Sequence, residues 1–286
     1  MTTLSSTHIA KLDRYGLLHA AGEDARAFLH AQLTNDVENL APGQARYAGW
    51  CSAKGRLLAT FLVVPSTDGF LLQLSRDLAP AVAKRLSMFV LRSKVKLADE
   101  SAQWGQYGVW GAGADAWLAA QRAANPSLIA VPVEAQRYLV LATVSAEKQP
   151  SPNTPASEWD LAELRAGRPL IVQATQDQFV PQMVNLELAG GVDFKKGCYP
   201  GQEVVARAQY RGAVKRRMYR LRGAVLQPGQ ELFSDDAPDH ASGTVVNAAG
   251  DESLAVLQTS AVEGKSPIRA QAQAAALEVL ALPYSA

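Results

Sequence analysis

The residues of this sequence best suited to chemistry lie in FKKGCYPGQEVVARAQYRG, from Phe194 to Gly212. Pro200 and Gly201 make a turn, and Gln202 to Tyr210 predicts a short helix that Gly212 terminates. Cys198 then falls just before a helix N-terminus. Free backbone N–H groups and the positive end of the helix dipole favour a thiolate there, and Lys195, Lys196 and Arg207 add to that effect. Glu203, Arg207 and Arg211 recur at four-residue intervals, so they share a helix face and can pair along it. Gly197 and Gly201 would let backbone approach a bound carboxylate or phosphate, which makes an anion site a second reading. The plainer alternative is a small buried cysteine in a turn, with charges that only stabilise a helix.

Other candidates carry less. Neither GxxxxGK[ST] nor GxGxxG is present, since GAGA at Gly111 to Ala114 lacks the third glycine, so a nucleotide-driven enzyme is not expected. The two cysteines, Cys51 and Cys198, form no CxxC, which argues against a disulfide scaffold or a closed metal site in a reducing, cytoplasmic setting. SDDAPDH offers Asp235, Asp236, Asp239 and His240, but its spacing matches no calcium loop, and no metal site is expected. His8, His19 and His30 are scattered without a serine or glutamate motif, so a hydrolytic triad has no support. Cys51 reads as a packing residue. Trp159 is either a core anchor or a stacking platform for a flat ring, and the sequence favours the anchor.

Lys and Arg number 28 against 27 Asp and Glu, so the whole chain is no polycation. Charge is nonetheless uneven: Lys195 to Arg222 holds nine basic residues and one acid, a local charge of +8. That stretch reads as a docking surface for an acidic protein or RNA. A protein partner is favoured over nucleic acid, because only Tyr199, Tyr210 and Tyr219 interleave with the charges. The longest apolar run, Leu57 to Val64, is far below the roughly 20 residues that span a bilayer, so no membrane partner is expected.

The elements that position these residues follow from periodicity and turn chemistry. Glu23 to Leu33 predicts a surface helix with Ala27, Phe28 and Ala31 on one face. Arg56 to Val64 and Phe70 to Leu74 predict a hairpin, followed by a helix over Leu78 to Leu91 that turns Val82, Leu86, Phe89 and Val90 inward. Strands are expected at Lys94–Leu97, Tyr107–Trp110, Leu128–Val133 and Tyr138–Val144, with a helix at Ala114–Ala124. Lys148 to Ser157 has three prolines and reads as a loop, and Ser157 as the cap of a helix ending at Gly167. After about Lys215, short alternating runs separated by turns such as SDDAPDHASG predict an antiparallel β-barrel. The class is therefore α+β.

KGCYPGQEVVAR, with Arg211 and Gly212 after it, resembles the signature of the YgfZ family, folate-binding relatives of the glycine-cleavage T-protein, an aminomethyltransferase. The likeness extends to AFLHAQLTNDV (27–37), WCSAKGRLL (50–58), FVPQMVNLELAGGVDF (179–194) and LPYS (282–285), and so covers essentially the whole chain. It implies a three-part ring of two α+β folate-binding subdomains and a C-terminal barrel. Residues 1–214 would form the folate-binding region, its central subdomain at roughly 45–147, and residues 215–286 the barrel.

The resemblance also implies tetrahydrofolate or a derivative as cofactor and a role in making or maintaining iron-sulfur enzymes, including one that modifies tRNA. Two aromatic residues line the folate pocket in such proteins. The matching positions are Tyr15, where the bacterial pattern has tryptophan, and Trp159, which keeps it. Lys195, Gly197, Tyr199, Gly201 and Gln202 complete the candidate cofactor contacts, and Cys198 with Lys196, Arg207 and Glu203 the functional set. T-protein carries an aspartate in the strand matching Leu57 to Phe61, which has no carboxylate here, and a glutamate at the position of Arg165. Their loss argues against aminomethyl transfer. The expected function is thus a folate-binding accessory protein with a working thiol. A folate-dependent one-carbon transferase and an RNA or acidic-protein binding module are the alternatives.

Overall fold

The computed structural model describes residues 7–146, 149–211, 214–271 and 273–284. The chain divides into two compact units: Met1–Phe28, Val37–Arg46 and Leu62–Trp159 make the first, and Leu29–Asp36, Tyr47–Phe61 and Asp160–Ala286 the second. Its elements in order are β1 (His8–Lys11), β2 (Tyr15–Ala21), α1 (Ala25–Gln32), β3 (Arg46–Cys51), β4 (Leu57–Pro65), β5 (Gly69–Ser75), α2 (Ala79–Ser87), β6 (Lys96–Asp99), β7 (Trp104–Trp110), α3 (Ala114–Ala124), β8 (Ile129–Glu134), β9 (Arg137–Thr143) and α4 (Ala156–Arg165). Two short 3-10 turns, Gln173–Thr175 and Pro181–Val184, lead to α5 (Gln202–Tyr210), β10 (Arg216–Arg222), β11 (Glu231–Ser234), β12 (Ala237–Ala249), β13 (Glu252–Gln258), α6 (Thr259–Glu263), β14 (Ile268–Arg269) and β15 (Ala276–Leu280).

In the first unit, β1-β7-β9-β8 form an antiparallel sheet. Side chains alternate along β7. Tyr107 and Val109 turn to a core with Ile9, Val140, Ala114 and Leu118, whereas Gln106, Gly108 and Trp110 share the opposite face. The other sheet runs β3-β4-β5-β2-β6, and the unit boundary cuts β4 after Phe61. Leu62 to Pro65 pair with Phe70 to Gln73 as the expected hairpin, and α2 lies against β2 and β6.

The second unit ends in a closed barrel, β10-β13-β12-β11-β14-β15, whose interior holds Leu221, Leu232, Val245, Ala255, Leu257 and Ile268. Closure leaves no unpaired edge strand to aggregate. Two motifs quoted above meet in this unit. Gly167 takes a φ of +67° at the end of α4, and its carbonyl accepts the Tyr284 hydroxyl at 2.6 Å. Arg165 binds the buried carboxylate of Glu252 at 2.7 Å, and Arg220 joins it at 3.0 Å. The Arg165 guanidinium holds the Glu252 carboxyl below the usual range, against the opposing effect of burial.

Several expectations need correction. In α1 the buried side chains are Ala25, Phe28 and Leu29, and Ala27 and Ala31 are exposed, because the inward stripe follows i, i+3 and i+4 from Ala25. Helix α2 stops at Ser87, and Leu91 adopts a left-handed φ of 44°, so Phe89 is exposed rather than inward. Helix α4 begins at Ala156, after Pro155, which puts Ser157 inside the first turn and not at the cap. Strand β12 runs straight through PDHASG. Its polar first half is exposed, which is why it reads as a turn, and register shifts where it pairs with β11 absorb the bend. Gly212, expected to end the signature helix, lies outside the described residues, as do Lys148 of the proline-rich loop and Ser285 of LPYS.

Candidate functional site

The thiol turn is anchored on both sides within the second unit. Asp193 N–H donates to the Thr34 carbonyl at 2.9 Å, and the Asp193 carboxylate accepts the Lys195 N–H at 2.7 Å. Gly201 takes a φ of +79°, and a methyl group built on it would stand 2.4 Å from the Ser52 carbonyl oxygen and 2.6 Å from the Gly55 Cα. Only glycine satisfies both the backbone angle and that approach. Its bare side is therefore filled by the β3–β4 turn, not left open for an anion. Downstream, the buried Gln182 donates to the Val205 carbonyl at 2.8 Å and fixes α5.

This frame sorts the signature residues by exposure. Cys198, Lys195 and Gly197 face solvent, while Tyr199 and Lys196 are buried and Gln202 is half-buried. The alternative of a small buried cysteine is excluded. Lys196 folds back so that Nζ donates to the Gly197 carbonyl at 3.1 Å and sits 4.9 Å over the Tyr199 ring. Burial lowers the Lys196 pKa, and Asp193, Asp36 and Cys198 oppose that by favouring its charge. Burial also raises the Tyr199 phenol, with Cys51 beneath adding to it. Gln202 N–H, the first of α5, is already given to the Tyr199 carbonyl at 3.2 Å. The dipole effect fades within the first turn, and Cys198 stands outside it.

The expected charge ladder does not form. Glu203 and Arg207 are both exposed and make no ion pair among the described residues, since water solvates them as well as each other. Three of the nine basic residues of the stretch are neutralised in β10 by acids remote in sequence: Arg217 binds Glu187, Arg220 binds Glu252 and Arg222 binds Glu278. Asp235 of SDDAPDH is held by Arg269 at 2.6 Å.

The histidines, which looked partnerless, have partners in space. His30 Nδ1 meets Asp36 at 3.2 Å, and Nε2 lies 3.8 Å from where a Gly197 methyl would stand. His30 and Asp36 therefore border the thiol turn, a placement no local motif signalled, because the end of α1 separates them. His19 lies between Glu100 and Asp68, each at 3.0 Å, with the Ser66 hydroxyl at 3.5 Å. Asp68 occupies the nitrogen a serine nucleophile would need.

The two aromatic candidates belong to the first unit. Tyr15 lines a cavity of about 290 Å³ with Trp104, Tyr107, Gln106, Lys11 and Arg76. Trp159 is 3% exposed and is not one of its walls. Its benzo edge lies against Gly108, and the Arg137 guanidinium sits 4.0 Å from the ring centroid. In this arrangement Trp159 is the core anchor.

Cys51 is 2% exposed, and burial pushes its thiol up to about 12, with Asp177 adding. Iodoacetamide is therefore expected to label the native protein once, at Cys198, and to reach Cys51 only after unfolding. Peptide mass spectrometry reads both sites, and labelling of native Cys51 would contradict the buried placement.

Comparison with known proteins gives three findings. The profile of the GCVT N-terminal domain matches residues 3–146. A tRNA-modifying protein YgfZ of Klebsiella pneumoniae is 32% identical, over 96% of this chain and 92% of its own; one from Vibrio vulnificus is 32% identical over 76% and 70%. The crystal structure of the glycine cleavage system aminomethyltransferase T from Bartonella henselae superposes with a TM-score of 0.71 over 98% of this chain and 86% of its own, at 15% identity. The last is a likeness of fold alone.

Proposed function

The chain belongs to the YgfZ family, and we propose that it is a cytoplasmic, folate-binding accessory protein that maintains iron-sulfur enzymes, including tRNA-modifying ones, through Cys198. The observation that carries the thiol part is the contrast in one turn. Lys196, Tyr199 and Gly201 around Cys198 are held in place, and the sulfur is left at the surface. A thiol meant for packing would be placed like Cys51.

The Tyr15 cavity fits a pterin better than a whole folate. Tyr15, Trp104 and Tyr107 line it with their rings, and Lys11, paired with Asp13 at 3.0 Å, and Arg76 bring cations to the same cavity. Its volume of about 290 Å³ suits the ring, with the tail outside. A bound reduced folate supplies a one-carbon carrier with an electron-rich ring. The residues around it bind and orient, and no carboxylate lies in Leu57 to Phe61 to move a proton as in the transferase. Lys196 keeps the turn folded back on Tyr199, and Cys198 meets the client.

The test is anaerobic calorimetry with tetrahydrofolate, joined to complementation of a deletion strain. Cys198→Ala is expected to bind tetrahydrofolate like the wild type and to leave client activity unrestored. Restored client activity would remove the thiol from the function, and absence of binding to the wild type would remove the folate.

A further inference from the structure

Four arginines lie on β10, and three of them are paired: Arg217 with Glu187, Arg220 with Glu252 and Arg222 with Glu278. The fourth, Arg216, is half-buried and has no side-chain hydrogen bond or ion pair among the described residues. It lines a cavity of about 450 Å³ within the second unit, on the outer face of the barrel. Arg56 lines the same cavity, and of its donors only Nη1 is used, on the Gln178 carbonyl. Phe179, Met183 and Val256 form an apolar floor, and Thr244 adds a hydroxyl.

An arginine kept half out of water without an acceptor is unfavourable unless an anion joins it. Here the half-buried Arg216, the exposed Arg56 and the Thr244 hydroxyl line one cavity over an apolar floor, and charge-assisted hydrogen bonds are the strong ones. One carboxylate opposes them, Asp177, which accepts the Ser52 hydroxyl at 2.9 Å. We propose that this cavity is a phosphate-binding subsite, with Arg216 and Arg56 as its forks. A carboxylate presents two oxygens in one plane, which one fork already engages together, whereas a phosphate presents tetrahedrally arranged oxygens that two forks and Thr244 can reach from different sides. The subsite takes Arg56 from the β3–β4 turn on which Gly201 rests, and its Asp177 binds Ser52 of that turn, so a phosphate-bearing ligand held here lies across that turn from the thiol loop. The inference stands apart from the folate and thiol readings.

The test uses the full-length ¹⁵N-labelled protein, titrated with inorganic phosphate at constant ionic strength while the arginine Nε–Hε resonances are followed. Saturable shifts are expected for Arg216 and Arg56. Binding should weaken by about tenfold or more in Arg216→Gln and stay at the wild-type value in Arg222→Gln. Arg216→Lys keeps the charge but loses the fork, and is expected to bind several-fold more weakly with an unchanged amide spectrum. Three results would overturn the proposal: no saturable shift at Arg216, equal weakening in Arg222→Gln, or tighter binding of glutarate than of phosphate.

Discussion

Replacing Gly201 by valine is expected to cost about 2–5 kcal/mol of stability, from two sources that add. The first is conformational: φ is +79°, where a β-branched residue pays about 1–2 kcal/mol. The second is steric. The new side chain meets the Ser52 carbonyl oxygen and the Gly55 Cα, both backbone atoms that cannot swing aside, and overpacking of this kind costs about 1–3 kcal/mol. Urea unfolding followed by far-UV circular dichroism reads the change. Gly197→Ala is the internal comparison. Its φ is not in the left-handed region, and the nearest atom to an added methyl is His30 Nε2 at 3.8 Å, so a change within about 0.5 kcal/mol is expected. Equal effects at the two glycines would show that the turn is not held by the close approach at Gly201.

Trp159→Ala should be at least as severe, about 3–5 kcal/mol, since it empties a fully packed site and strips the Arg137 guanidinium of its ring. The opposing face supplies a sharper test. A methyl group on Gly108 would stand 2.1 Å from Trp159 Cε3, so Gly108→Ala is destabilising while the tryptophan is present. In Trp159→Ala the same methyl enters the vacated space. The double variant is therefore expected to lose less than the sum of the single losses, by about 1–2 kcal/mol. Additive losses would mean that the ring does not rest on Gly108. Tetrahydrofolate titration of Trp159→Phe separates anchoring from stacking. Under the anchor placement it binds as the wild type does, and a large loss in a stably folded Trp159→Phe would return the ring to the ligand.

What neighbours in the chain control was legible before folding is considered. Helix α5 occupies Gln202–Tyr210 as its turn residues require, the β4–β5 hairpin forms around the PSTDG turn at Pro65 to Gly69, and the alternating runs after Lys215 close into a barrel. The motif likeness also pointed to the family and to the fold. Local propensity, turn chemistry and side-chain period are properties of a few adjacent residues, so they survive reading one residue at a time. Exposure and partnership are not. Lys196 and Cys198 are two positions apart, yet one is buried and the other exposed, because the turn rests on Ser52 and Gly55, nearly 150 residues earlier. The +8 stretch looked like a single basic face, but β10 carries its arginines to Glu187, Glu252 and Glu278, and one is left over. His30 and Asp36 reach the thiol turn only because Thr34 between them accepts the Asp193 N–H. In each case burial and charge pairing are settled by which distant segment arrives alongside, and that is a property of the folded chain alone.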